Sequence, residues 1–145
     1  MSLLTYRGTV FPWHCDHMGH MNVMWYVGKF DEATWHLFAS IGVTRAFMRE
    51  TGSVFGAVQQ NITYVKELLA GDIVEVRSRV LEIREKVIRF EHVMINSATG
   101  DTCARCEQTT VHIDAKARKA AAFPAAIRAA AEAAVKQEPK AANPG

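Results

Sequence analysis

Hydrophobic and polar positions change rhythm several times along this chain. Leu3 to Phe11 reads as a first strand, ended by Pro12. The next segment, Trp13-His14-Cys15-Asp16-His17-Met18-Gly19-His20-Met21-Asn22, has no period. Its glycine and short polar residues predict a loop, with Asn22 as the N-cap of a helix. From Val23 to about Ser40 the period is helical: Val23, Val27, Phe30, Leu37 and Ile41 keep one apolar face, while Met24, Trp35 and Phe38 fill much of the remainder. Lys29, Glu32 and His36 form a thin polar stripe. A helix apolar on most sides is expected to be enclosed. Gly42 supplies its stop, and Thr44 to Glu50 predicts a short helical turn.

After this helix the period drops to two. Val54 to Lys66 reads as a strand, followed by an Ala70-Gly71-Asp72 turn. In Ile73 to Leu81, Val74, Val76 and Val80 face one way and Glu75, Arg77 and Arg79 the other. Val87 to Ile95 alternates likewise, with Ile88, Phe90, His92 and Met94 on one face. Residues 97–101 predict a hairpin turn into a last long strand, Thr102 to Ile113. Such alternation indicates an antiparallel sheet with one solvated side. Beyond Phe123-Pro124, the alanine-rich run Ala125 to Val135 predicts a helix. One sheet wrapped around one central helix satisfies every pattern, an α+β architecture.

The chain has 145 residues, 49% of them apolar, with a formal net charge of +2. That predicts one globular domain over residues 1–136 and a flexible tail over 137–145. So mild a charge argues against a nucleic-acid partner. Lys29, Asp31, Glu32 and His36 interrupt the longest apolar stretch, which argues against a membrane span. Arg7 breaks the first residues as a leader. Three cysteines cannot all pair within the chain, so a reducing, cytoplasmic setting is expected. Cys103-Ala104-Arg105-Cys106 has C-x-x-C spacing, but in a strand residues three apart point to opposite faces.

The densest chemistry lies between Trp13 and Tyr26. Asp16 precedes a helix start, where backbone N–H groups are unpaired and the dipole is positive. A carboxylate facing such a terminus is what acyl transfer requires: one group attacks or activates water, while N–H groups hold the oxyanion. His14, Cys15, His17 and His20 lack the paired spacings of a zinc finger, and Met18, Met21 and Met24 fit apolar filling better than soft-metal ligation, so no metal site is expected.

Asp16-x-x-Gly19-His20-Met21-Asn22-x-x-x-Tyr26 followed by Phe30-Asp31-Glu32-Ala33 resembles the hotdog-fold acyl-CoA thioesterases related to 4-hydroxybenzoyl-CoA thioesterase. So do Asn61-x-x-Tyr64-x-Lys66-Glu67-Leu68-x-x-Gly71-Asp72 and Val111-His112-Ile113-Asp114 with Phe123-Pro124. Trp13 at the head of the first motif looks most like the branch acting on betainyl- or carnitinyl-CoA. The resemblance implies a hotdog fold and acyl-CoA hydrolysis, with coenzyme A as part of the substrate and no separate cofactor. It implies Asp16 as nucleophile or general base, an oxyanion contact from the Val23 N–H, a tight turn at Gly19, and His20 and Asn22 shaping the site. It also implies a homodimer or homotetramer with the site at the subunit interface.

His17 and Tyr64 are expected to contribute to substrate binding. Asp31 is a rival acid, because some hotdog thioesterases carry theirs on the central helix. Trp13 and Tyr26 are candidates to cage a trimethylammonium group. Arg84, Lys86, Arg89, Lys116 and Arg118 could meet CoA phosphates. A non-catalytic acyl-CoA-binding sensor or scaffold, and a hotdog enoyl-CoA hydratase or dehydratase, are the alternative functions.

Overall fold

The computed structural model describes residues 2–137. Asn22 starts the long helix α1, Val23–Ser40, by accepting the Met24 N–H on its side-chain oxygen at 3.0 Å. The helix ends at Gly42, whose φ of 98° lies in the left-handed region, and the chain reverses with Val43 N–H on the Phe38 carbonyl. A side chain at Gly42 would also press on Ile127. Thr44 then caps α2, Arg45–Thr51, through the Phe47 N–H.

The remaining chain is sheet. β1 is Leu3–Thr9, β2 Ser53–Tyr64, β3 Ile73–Ile83, β4 Val87–Asn96, β5 Thr102–Asp114 and β6 Lys119–Ala120. The strand order is β1-β3-β4-β5-β2, all antiparallel, with β6 paired to the end of β5. Alternation sends Val74, Val76, Ser78 and Val80 inward from β3, and Ile88, Phe90, His92 and Met94 inward from β4.

The sheet curls around α1, giving the α+β hotdog arrangement. Two apolar clusters join helix to sheet. Near the start of α1, Val10, Met21, Tyr26, Phe30 and Leu68 pack with Val74, Val76 and Met94. Near its end, Leu37, Phe38 and Ile41 pack with Val80, Ile88, Phe90 and the C-terminal helix α3, Ala125–Lys136. Apolar burial of this kind stabilises a fold by roughly 25 cal/mol for each Å² removed from water.

Several expectations need correction. The first strand stops at Thr9, although Val10 still exchanges backbone bonds with Gly71 and Asp72; Pro12–His14 then forms one 3-10 turn. Lys29 is not part of a solvated stripe. It is 6% exposed, because its Nζ donates to Tyr6 Oη at 2.9 Å and sits 5.3 Å from that ring's centroid. Glu32 and His36 are exposed as expected. The helix is enclosed on only one side: Tyr26, Phe30, Ala33, Thr34, Leu37 and Phe38 are buried, whereas Val23, Met24, Val27 and Trp35 are exposed. Beyond Gln137, the tail expected over 137–145 lies outside the described residues. Among the described residues no helix is long and apolar enough to cross a membrane.

Candidate active site

The loop before α1 is folded on itself by its backbone. Gly19 N–H donates to the Asp16 carbonyl, Asp16 N–H to the His20 carbonyl, and Cys15 bridges Met21. Gly19 takes φ 83°, a conformation open to glycine at little cost, so the chain turns there without strain. Asn22 N–H donates to the His14 carbonyl, and Met21 N–H to Leu68, which fixes the loop to the segment after β2.

The folded loop presents Asp16 at the start of α1. Asn22 Nδ2 donates to Asp16 Oδ2 at 2.9 Å, and Met18 N–H donates to Oδ1 at 2.9 Å. These bonds, the Asn22 one foremost, hold the Asp16 carboxyl below its ordinary range, with the charges of His20 and His17 adding to them and desolvation opposing. The same Asn22 caps the helix through its other amide atom. The first helical N–H, on Val23, has no acceptor among the described residues, as expected for the N-terminal turn. An ionised carboxylate, an unoccupied N–H and a positive helix end therefore stand together.

His20 links Asp16 to Glu67, a carboxylate to which the sequence motifs assign no role. His20 Nδ1–H donates to Glu67 Oε2 at 3.1 Å, while Nε2 faces Asp16 Oδ1 at 4.0 Å. A cleft of about 240 Å³ opens beside them, bordered by Val23, Tyr26, Tyr64, His20, Lys66 and Glu67. Tyr26 and Tyr64 meet edge to face at 5.1 Å. Burial is the main reason that the Tyr26 phenol is pushed up to about 12, so it stays protonated. The Lys66 charge is taken by Asp101 at 3.1 Å.

Asp16, His20, Asn22, Val23, Tyr26 and Tyr64 thus gather at one end of α1, with Gly19 as the turn. His17 is exposed at the loop's tip. Trp13 is not brought to Tyr26: it is 65% exposed and stacks on Phe11 at 4.4 Å. It lines a separate cleft with Tyr6, His14, Trp25 and Lys29, so the two rings cannot form one cage within a chain. Asp31 lies on the exposed face of α1, outside the Asp16 grouping. Of the basic candidates, Arg84 and Arg89 are paired with Glu82, and Arg89 also with Glu107. Cys103 and Cys106 are both buried and free, and burial raises both thiols, Cys106 to about 11. Neither is a thiolate at neutral pH, as a redox pair would need. Among the described residues, no three or more His, Cys, Asp or Glu side chains converge as metal ligands.

Residues 10–131 match the model of the thioesterase-like superfamily. A betainyl-CoA thioesterase of Pseudomonas aeruginosa is 28% identical over 90% of this chain and 82% of its own length. An L-carnitine dehydrogenase/betainyl-CoA thioesterase of Rhizobium meliloti is 32% identical over 79% of this chain, which spans only 23% of that longer protein. Among solved structures, a Staphylococcus aureus protein in complex with CoA superimposes with a TM-score of 0.89 at 20% identity, covering 99% of this chain and 91% of its own. That likeness establishes the fold.

Proposed function

The chain belongs to the thioesterase-like superfamily, and on that premise we propose that it hydrolyses an acyl-CoA to the free acid and CoA. One observation carries the reading: Asn22 holds the ionised Asp16 carboxylate while capping the helix whose Val23 N–H is unoccupied. A thioester carbonyl seated between them would be attacked by Asp16, or by a water that Asp16 deprotonates. The Val23 N–H and the helix end would receive the charge that develops on the carbonyl oxygen. The C–S bond breaks, CoA leaves as a thiolate, and water supplies the acid's second oxygen. Coenzyme A enters as part of the substrate, and no further cofactor is called for. A cytoplasmic setting suits such a substrate and three free thiols.

The reading includes a second copy of the chain. β2 is an edge strand twelve residues long, with one side unpaired among the described residues. Long open edges of this kind recruit another strand. Val58 on that edge and Val23, Met24, Val27 and Trp35 on α1 leave apolar surface in water that a partner would cover. A homodimer or homotetramer whose interface borders the start of α1 accounts for both features.

A thioesterase screen with free-thiol detection tests the proposal. Short-chain, aryl, carnitinyl and betainyl CoA esters form the panel, betainyl first because relatives carry that name. Asp16→Asn keeps the shape and removes the charge, and should lower kcat by about two orders of magnitude or more while the fold persists. Near-wild-type hydrolysis by that variant would reject Asp16 as the reacting group. Tight CoA binding with no hydrolysis of any ester would instead favour the sensor reading.

A further inference from the structure

The cleft that holds Trp13 lies apart from the Asp16 grouping and has no part in the reaction proposed above. It has a volume of about 350 Å³ and runs between β1 and the first half of α1. Lys29 lines it while almost wholly buried, and no carboxylate pairs with it among the described residues. Tyr6 Oη is its one hydrogen-bond acceptor there, although an ammonium has three protons to donate. A buried ion without a counter-charge is a poor way to hold a fold together, since an apolar side chain of similar volume would serve at least as well. The Lys29 charge also reaches His14 across the cleft. Desolvation first and that charge second hold the imidazole below its ordinary range, so Lys29 is the cation of the pair at neutral pH. Glu32 stands at the exposed rim, where solvent screens it.

The walls are flat and apolar. Phe11 and Trp13 stack at 4.4 Å, and His14 meets Trp25 at 4.6 Å. Two glycines keep the space between them clear. A Cβ at Gly8 would overlap the Tyr6 phenol oxygen, so glycine lets Tyr6 lie over the strand and reach Lys29. Gly28 differs, because a Cβ there would meet nothing. It sits inside α1, where glycine is among the least favourable residues, and helix packing gives no reason for it. The open space above it does.

We propose that this cleft is a second ligand site, separate from the Asp16 centre, that takes an aromatic carboxylate. The carboxylate would receive hydrogen bonds from Lys29 Nζ and from the Tyr6 hydroxyl, whose proton has no other acceptor among the described residues. Its ring would lie against Trp13 and Trp25, where offset or edge-to-face contact favours a planar aromatic body over a saturated one. The anion would supply the counter-charge that the chain does not.

Calorimetric titration with phenylacetate, its neutral analogue phenylacetamide and the saturated cyclohexylacetate tests the site. Phenylacetate should bind once per chain, at least tenfold more tightly than the amide and about threefold more tightly than cyclohexylacetate. Lys29→Met should weaken phenylacetate at least tenfold and erase its advantage over the amide. Gly28→Leu fills the space above α1 without a clash, so it should abolish binding while the melting temperature holds or rises. Asp16→Asn should leave all three affinities unchanged. Absence of phenylacetate binding overturns the inference. So does binding that Asp16→Asn abolishes, or binding that neither Lys29→Met nor Gly28→Leu weakens.

Discussion

Asn22 donates its amide nitrogen to Asp16 Oδ2 at 2.9 Å while its amide oxygen accepts the Met24 N–H at 3.0 Å. One side chain therefore sets both the Asp16 carboxylate and the start of the helix beside it. The two duties separate by substitution. Serine is as good an N-cap as asparagine but too short to reach Asp16 as well, whereas alanine loses both contacts. Asn22→Ser should keep nearly full stability and Asn22→Ala should lose about 1 kcal/mol, as urea unfolding would show.

Both variants should move the acid limb of the kcat/KM profile to higher pH. The Asn22 bond is the largest cause of the lowered Asp16 pKa, so removing it returns the carboxyl toward its ordinary range and protonates it earlier as pH falls. The unmodified protein should stay active below the usual carboxylate range. An unchanged limb in Asn22→Ser would mean that Asp16 is not the group whose ionisation is seen.

Much of this arrangement is legible in the sequence because local rules and global packing agree there. Asn22 and Gly42 delimit α1 by capping and by a left-handed φ, and period-two alternation marks β3, β4 and β5. What is not legible depends on distant partners. Nothing near Lys29 shows that Tyr6, 23 residues earlier, will accept a hydrogen bond from its ammonium and draw it out of water. Glu67 lies 47 residues from His20, and only the return of the chain after β2, pinned by Met21 N–H on Leu68, brings them together. The separation of Trp13 from Tyr26 has a similar origin: they precede and open the same helix, but the 3-10 turn at Pro12–His14 directs Trp13 onto Phe11.

The Lys29–Tyr6 pair allows a double-mutant test. Tyr6→Phe leaves a buried ammonium without its acceptor, which should cost about 1–3 kcal/mol. Lys29→Met alone replaces a buried charge by an apolar chain of similar length and should cost less than Tyr6→Phe. Adding Lys29→Met to Tyr6→Phe should then recover most of the loss. Additive destabilisation in urea melts would show that the contact is energetically idle.

His92 makes the fold sensitive to acid. Its ring lies parallel to Phe30 and edge-on to Phe90, fully buried. Thr34 spends its hydroxyl proton on the Phe30 carbonyl, so His92 Nε2–H donates to Thr34 Oγ1, at 2.8 Å, and Nδ1 accepts from Ser78. The neutral ring is satisfied, and burial pushes its pKa down to about 4 from an ordinary 6.5. Between those values the unfolded chain binds a proton that the native protein refuses. Stability is therefore retained above pH 6.5 and falls as pH drops toward 4, by on the order of 3 kcal/mol from this group. His92→Phe keeps the ring stacking and removes the titration. Thr34 retains its bond to Phe30, and Ser78 retains Thr5. Urea unfolding at pH 7 and at pH 4.5 should show the unmodified protein losing more stability than the variant over that interval. Equal losses would assign the acid sensitivity to other groups.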